Sequence, residues 1–196
     1  MRWKSLCSAK VAVLGLATVF FAGSVAASPL RAPTAESVTA SDWDFQKEAT
    51  GLLGEVKTLA HNLERDADTL SAFARDNGVS WHTHAYYLNS VGGYINQIND
   101  RLDRLQAIKH VTAPWQQQAV DRVVPISAEI AGRAQAAIDH LSDNRLYRFA
   151  DSYRDHLAAI VDRSGDLSDS VGQFIDYGRT QQRMERLQQH LEIVPL

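Results

Sequence analysis

The stretch SWHTHAYY at residues 80–87 places His82 and His84 one residue apart among aromatics, and imidazole is the commonest protein ligand for metals. On a helix, side chains two positions apart point about 200° from each other, whereas chelating pairs use spacings of three or four. If a helix has formed by Trp81, this pair cannot grip one ion. A site between helices is the other route: His84 with His140 and Asp76, and His156 at the same end or a turn or two below. That pattern would suit a small-ligand or transition-metal carrier. Against it, His84 occupies a core-facing position near a helix start, where a histidine satisfied by a backbone or water partner is the ordinary occurrence.

Two further groupings can carry chemistry. Asp66 and His156 fall on core-facing positions at nearly the same height of two adjacent helices, and a carboxylate beside an imidazole can orient and charge it for proton transfer. A shift of each stripe by one residue instead gives the core to Ala67 and Leu157 and leaves Asp66 and His156 at its margin, because near-heptad stripes drift around a helix. Gly92 and Gly93, Pro125 and Gly165 each oppose helix formation, at about 1 kcal/mol for glycine and about 3 for proline. They serve close backbone contact or a kink, or they open a pocket lined by Gly92, Gly93, Tyr94 and Tyr153, with Tyr87 nearby.

The motifs of better-defined chemistry are missing. No Asp or Glu has a histidine three residues later, as di-iron bundles require, and His61 to Glu64 runs in the reverse order. Cys7 is the only cysteine, so there is no Cys-x-x-Cys-His for covalent haem. No Gly-x-Ser-x-Gly turn and no phosphate-binding glycine loop occurs; SVGGY lies within a helical pattern. The expectation is a protein without enzymatic activity or cofactor.

Those residues must be positioned by something, and the ends of the chain say where. Arg2 and Lys4, an apolar run over residues 11–22 and the small-residue segment GSVAAS have the order of a secretory signal, with cleavage expected after Ala27. The apolar run falls short of the ~20 residues of a spanning helix. The expected destination is extracytoplasmic, periplasmic or secreted, with no stable membrane span after cleavage. Three of the 20 cations and none of the 23 acids lie in residues 1–27, so the remaining 169 residues carry a formal charge of −6. A net acidic chain without a basic block is a poor ligand for nucleic acid. With no cysteine after position 7, its core alone must hold the fold.

Residues 28–40, with two prolines and no apolar period, read as a flexible leader. Ser41 followed by Asp42 and Asp44 then starts a helix, whose stripe runs Phe45, Ala49, Leu52, Val56, Leu59, Leu63, Leu70, Phe73 and stops at Gly78, a residue suited to the left-handed position after a helix. Ser80 caps a second helix with Trp81, His84, Leu88, Val91, Ile95, Ile98, Leu102 and Leu105 on its stripe. Thr112 caps a third, with Pro114 in its first turn and Val123, Ile126, Ile130, Ala134, Ala137 and Leu141 facing inward. The fourth carries Leu146, Phe149, Tyr153, Leu157, Ile160, Leu167, Val171 and Phe174. Residues 179–196 are helical but much more polar, either prolonging the fourth helix or folding back as a short fifth.

Helices of similar length joined by short turns favour an all-α, antiparallel up-and-down four-helix bundle over residues 41–178; coiled-coil pairing between chains is the alternative for such long stripes. The function expected is a non-enzymatic binding or envelope-associated accessory protein, its partner another protein or a second copy engaging the polar helix after Gly178.

Overall fold

The computed structural model describes residues 40–76, 78–143 and 150–193. These form four α-helices and no strand: α1 (Ala40–Phe73), α2 (Trp81–Ile108), α3 (Pro114–Asp143) and α4 (Asp151–Ile193), with a 3-10 turn at Lys109–Val111. The expected signal segment, its cleavage site at Ala27, the leader up to residue 39, and Leu146 and Phe149 lie outside the described residues. No described helix is long and apolar enough to cross a membrane.

Cross-helix contacts give the topology. Arg104 pairs with Glu48 at 2.6 Å, Arg101 with Glu55 at 3.0 Å, and Ser90 with Asp66 at 2.7 Å, so α2 descends as α1 ascends. Ser127 bonds Asn99 at 2.9 Å and Lys109 pairs with Asp121, which sets α3 antiparallel to α2. Arg163 reaches Glu129 at 3.0 Å across α3 and α4. Each helix lies between two neighbours, and α4 closes the ring against α1.

A continuous apolar core runs along the bundle axis. On α2 the expected stripe is buried from His84 to Leu105, while Trp81 is half-buried at the margin. On α1 the core face is Ala49, Leu53, Val56, Ala60, Leu63, Ala67, Leu70 and Ala74. Leu52, Leu59 and Phe73, expected in the core, are partly buried and pack on its flanks. The reason is volume: alanine at the seam lets helix backbones approach, while the larger neighbours cover the sides. Similarly Ser127 replaces Ile126 on α3, and Ile175 replaces Phe174 on α4.

The ends follow local chemistry. Ser80 caps α2 as expected, accepting from the Thr83 N–H. At α3 the cap falls one residue later than Thr112: Gln116 returns its side-chain oxygen to the Ala113 N–H at 2.9 Å, a capping-box geometry made possible by Pro114 at the first helical position. Thr112 instead closes the 3-10 turn by donating to the Lys109 carbonyl. Gly78 does not take the left-handed backbone expected of it. Its N–H is captured by the Asp76 carboxylate at 2.8 Å, while bonds from Arg75 and Asp76 to the carbonyls of Ala72 and Phe73 tighten the last turn of α1. Pro125 sits within an unbroken α3 on its exposed side.

Candidate functional site

At the end where α2 and α4 begin, three aromatic side chains meet. Tyr153 and His84 are both fully buried, the His84 Nδ1 and the Tyr153 hydroxyl stand 3.1 Å apart, and the His140 ring stacks on Tyr153 with centroids 5.5 Å apart. Because these positions close the apolar core, burial pushes the Tyr153 phenol well above its ordinary pKa. His82 faces outward and stacks on Trp81, with centroids 3.7 Å apart. The helix has indeed formed by Trp81 and separates the two imidazoles.

The fold thus brings His84 and His140 to one tyrosine. Asp76, the third donor considered, is exposed and holds the Gly78 N–H. Among the described residues no group of three His, Cys, Asp or Glu side chains stands close enough to hold an ion. The neutral phenol between the imidazoles makes the cluster a packed, hydrogen-bonded plug for the end of the core.

Asp66 and His156 do not form a dyad. Asp66 takes the Ser90 hydroxyl at 2.7 Å and lies 3.4 Å from Arg65, so its carboxylate belongs to the α1–α2 seam. Ala67 and Leu157 occupy the core beside them, both fully buried. His156 is half-buried, and its Nδ1 is enclosed without a hydrogen-bond partner among the described residues. A one-residue rotation of each stripe accounts for both displacements.

The glycine–tyrosine grouping is dispersed as well. Gly92 is buried, and Tyr94 packs against the core as a half-buried side chain. Tyr153 lies at the level of His84, eight residues and about 12 Å along α2 from Gly92. A Cβ added at Gly93 would meet nothing within 4 Å, and one at Gly165 would meet only the flexible Glu64 side chain at 3.2 Å. Close approach falls instead on Gly178, where a Cβ would stand 2.5 Å from the Trp115 ring.

That contact marks the opposite end of the bundle, which carries features not legible in the expected stripes. Gln116 is 1% exposed; its amide donates to the Gln46 carbonyl at 2.7 Å and the Thr50 hydroxyl at 2.9 Å, tying α3 to α1 across the bundle. As the first of three consecutive glutamines it reads as surface, yet Gln two residues after Pro114 is the capping-box signal that singles it out. Gln46, Thr50, Trp115 and Gln116 line a cleft of about 500 Å³ that Gln182 of α4 overhangs. No family model, curated protein or solved structure matches the chain.

Beyond Gly178, α4 continues without a break to Ile193, so no fifth helix folds back. Every residue from Arg179 to Leu191 is exposed. Met184 and Leu187 are each 57% exposed and Leu191 74%, and with Tyr177 they keep spacings of three, four and seven. Glutamine and arginine dominate the segment's composition and mask this seam; its sequence signal is the heptad recurrence of positions 177, 184 and 191.

Proposed function

We propose that this is an exported, non-enzymatic helical-bundle protein, released from its signal segment at Ala27, that works by binding as an accessory protein of an extracytoplasmic compartment. The antiparallel bundle is the rigid body, and the extension of α4 is the recognition element. The observation that carries this reading is the run of three large apolar side chains, Met184, Leu187 and Leu191, held in solvent on a helix that the bundle already nucleates. Exposed apolar side chains grouped on one face mark interaction sites far more often than those scattered singly. A helix presented this way supplies anchors at the spacings that helix-mediated recognition uses.

A photo-crosslinking residue at position 187, compared with one at Gln189 on another face, tests the reading in cells that export the protein. Adducts are expected at 187 and not at 189. Equal labelling at both positions, or none at 187, would remove the extension as the recognition element.

A further inference from the structure

The partner this surface fits is a second copy of the same chain, and we propose that two α4 extensions pair in parallel and in register along Tyr177, Met184, Leu187 and Leu191. The inference rests on the binding reading above and names the occupant of that surface.

Three observations carry it. The first is direction. Within the bundle the inward face of α4 near its end is Val171, Gly172, Ile175 and Gly178. At 100° per residue the exposed seam lies about 170° round the helix from that face. A partner helix on the seam therefore meets no part of its neighbour's bundle, and the two bodies sit on the outer sides of the pair.

The second is charge. At 100° per residue the positions that flank the seam are Asp176, Arg183 and His190 on one side and Gln181 and Gln188 on the other. Parallel pairing about a two-fold axis sets Arg183 of each copy against the glutamine edge of the other, whereas antiparallel pairing sets Arg183 against His190. Ion pairs engage Arg154 with Asp151 and Arg163 with Glu129 and Asp166 in the bundle portion, and Arg179 with Asp176 where the extension begins. Arg183 and Glu185 of the extension form no ion pair among the described residues.

The third is extent. The seam spans two heptads, about 21 Å, too short for an isolated coiled coil to nucleate but continuous with a helix the bundle has already formed. Above Tyr177 the same outer face of α4 turns acidic, with Asp155, Asp162, Asp166 and Asp169 all exposed. Two such rows repel, so the contact ends near Tyr177 and the bundles diverge.

Sedimentation of the exported protein from low micromolar to near-millimolar concentration tests the pairing. A reversible monomer–dimer equilibrium is expected, weakened at least about tenfold by Leu187→Asp and changed by less than about twofold by Gln189→Asp. Both variants keep their folded cores, because neither position touches the bundle, and helicity with melting temperature checks this. Orientation is read by single cysteine substitutions, because the chain after Ala27 contains no cysteine. Leu191→Cys alone should give a self-disulfide, and a mixture of Leu191→Cys with Tyr177→Cys should give no preferred mixed product. A monomer at every concentration, a dimer indifferent to Leu187→Asp, or a dominant 191–177 mixed disulfide overturns the proposal. The two readings separate cleanly: adducts from position 187 to a different protein while the chain sediments as a monomer reject self-pairing only, and loss of those adducts rejects the binding reading too.

Discussion

Helix α4 contains two different kinds of helix under one unbroken hydrogen-bond ladder. From Asp151 to Gly178 its inward face is Tyr153, Leu157, Ile160, Leu167 and Val171, all fully buried, interspersed with the small buried residues Ser164, Ser168 and Gly172. Between Arg179 and Leu191 the apolar positions Met184, Leu187 and Leu191 lie on the other side of the helix and are exposed. The first stretch is held by burial, at about 1.5–3 kcal/mol for each large side chain removed from water. Among the described residues nothing buries the second in this way, and it stays helical because the first has met the cost of nucleation. Apolar residues alone do not say whether a helical stripe is core or contact surface; the phase of the stripe relative to the rest of the helix does.

The largest test of this contrast is a matched pair of truncations. Leu157→Ala should lower the free energy of unfolding by about 2–5 kcal/mol, whereas Leu187→Ala, measured at a concentration where the chain is monomeric, should change it by less than about 0.5 kcal/mol. Urea denaturation of both variants gives the comparison, and similar losses would mean that the extension folds back on the bundle. The joint between the two stretches comes next. Gly178→Ala places a methyl 2.5 Å from the Trp115 ring and should destabilise by about 1–3 kcal/mol through overpacking. Gly93→Ala enters open space and should stabilise by about 0.5–1 kcal/mol. Melting temperatures moving in the same direction for the two would refute this account of where the bundle is tight.

The smallest effect sits at the far end of the buried stretch. Tyr153→Phe removes the contact with His84 and should cost about 1 kcal/mol near neutral pH. Burial raises the Tyr153 pKa in the folded state above the value of about 10 it has when unfolded, so the unfolded chain loses the proton first. Its contribution is therefore complete below about pH 10 and declines as pH rises beyond that. Unfolding midpoints measured at increasing alkaline pH should fall more steeply for the native chain than for Tyr153→Phe; parallel curves would show that the phenol is not held neutral by the fold.

Much of this was legible in the residues. The α2 stripe from His84 to Leu105 is regular because every position on it is large and apolar apart from His84, so only one rotation of the helix buries them all. On α1 the same reasoning places Leu52 and Leu59 in the core; Leu53 and Ala60 take those positions instead, a choice hydrophobicity cannot make between two adjacent leucines and makes the wrong way between Leu59 and Ala60. The pairing of Asp66 with His156 failed for the same cause, a rotation of one residue in each helix. His84 and His140 stand out in the sequence as metal donors, and both rings contact Tyr153, but no periodicity shows that a tyrosine hydroxyl on a third helix will lie against one imidazole and its ring against the other.

By itself the sequence determined four amphipathic helices and an apolar face on each, because hydrophobic periodicity acts within a few residues of the chain. Only the tertiary structure decided which of two adjacent residues enters the core, that Gln116 is a buried tie between α3 and α1, and that the seam of the α4 extension faces away from its own bundle. Those outcomes depend on distances between helices, and such distances follow from the volumes of side chains that are remote in sequence.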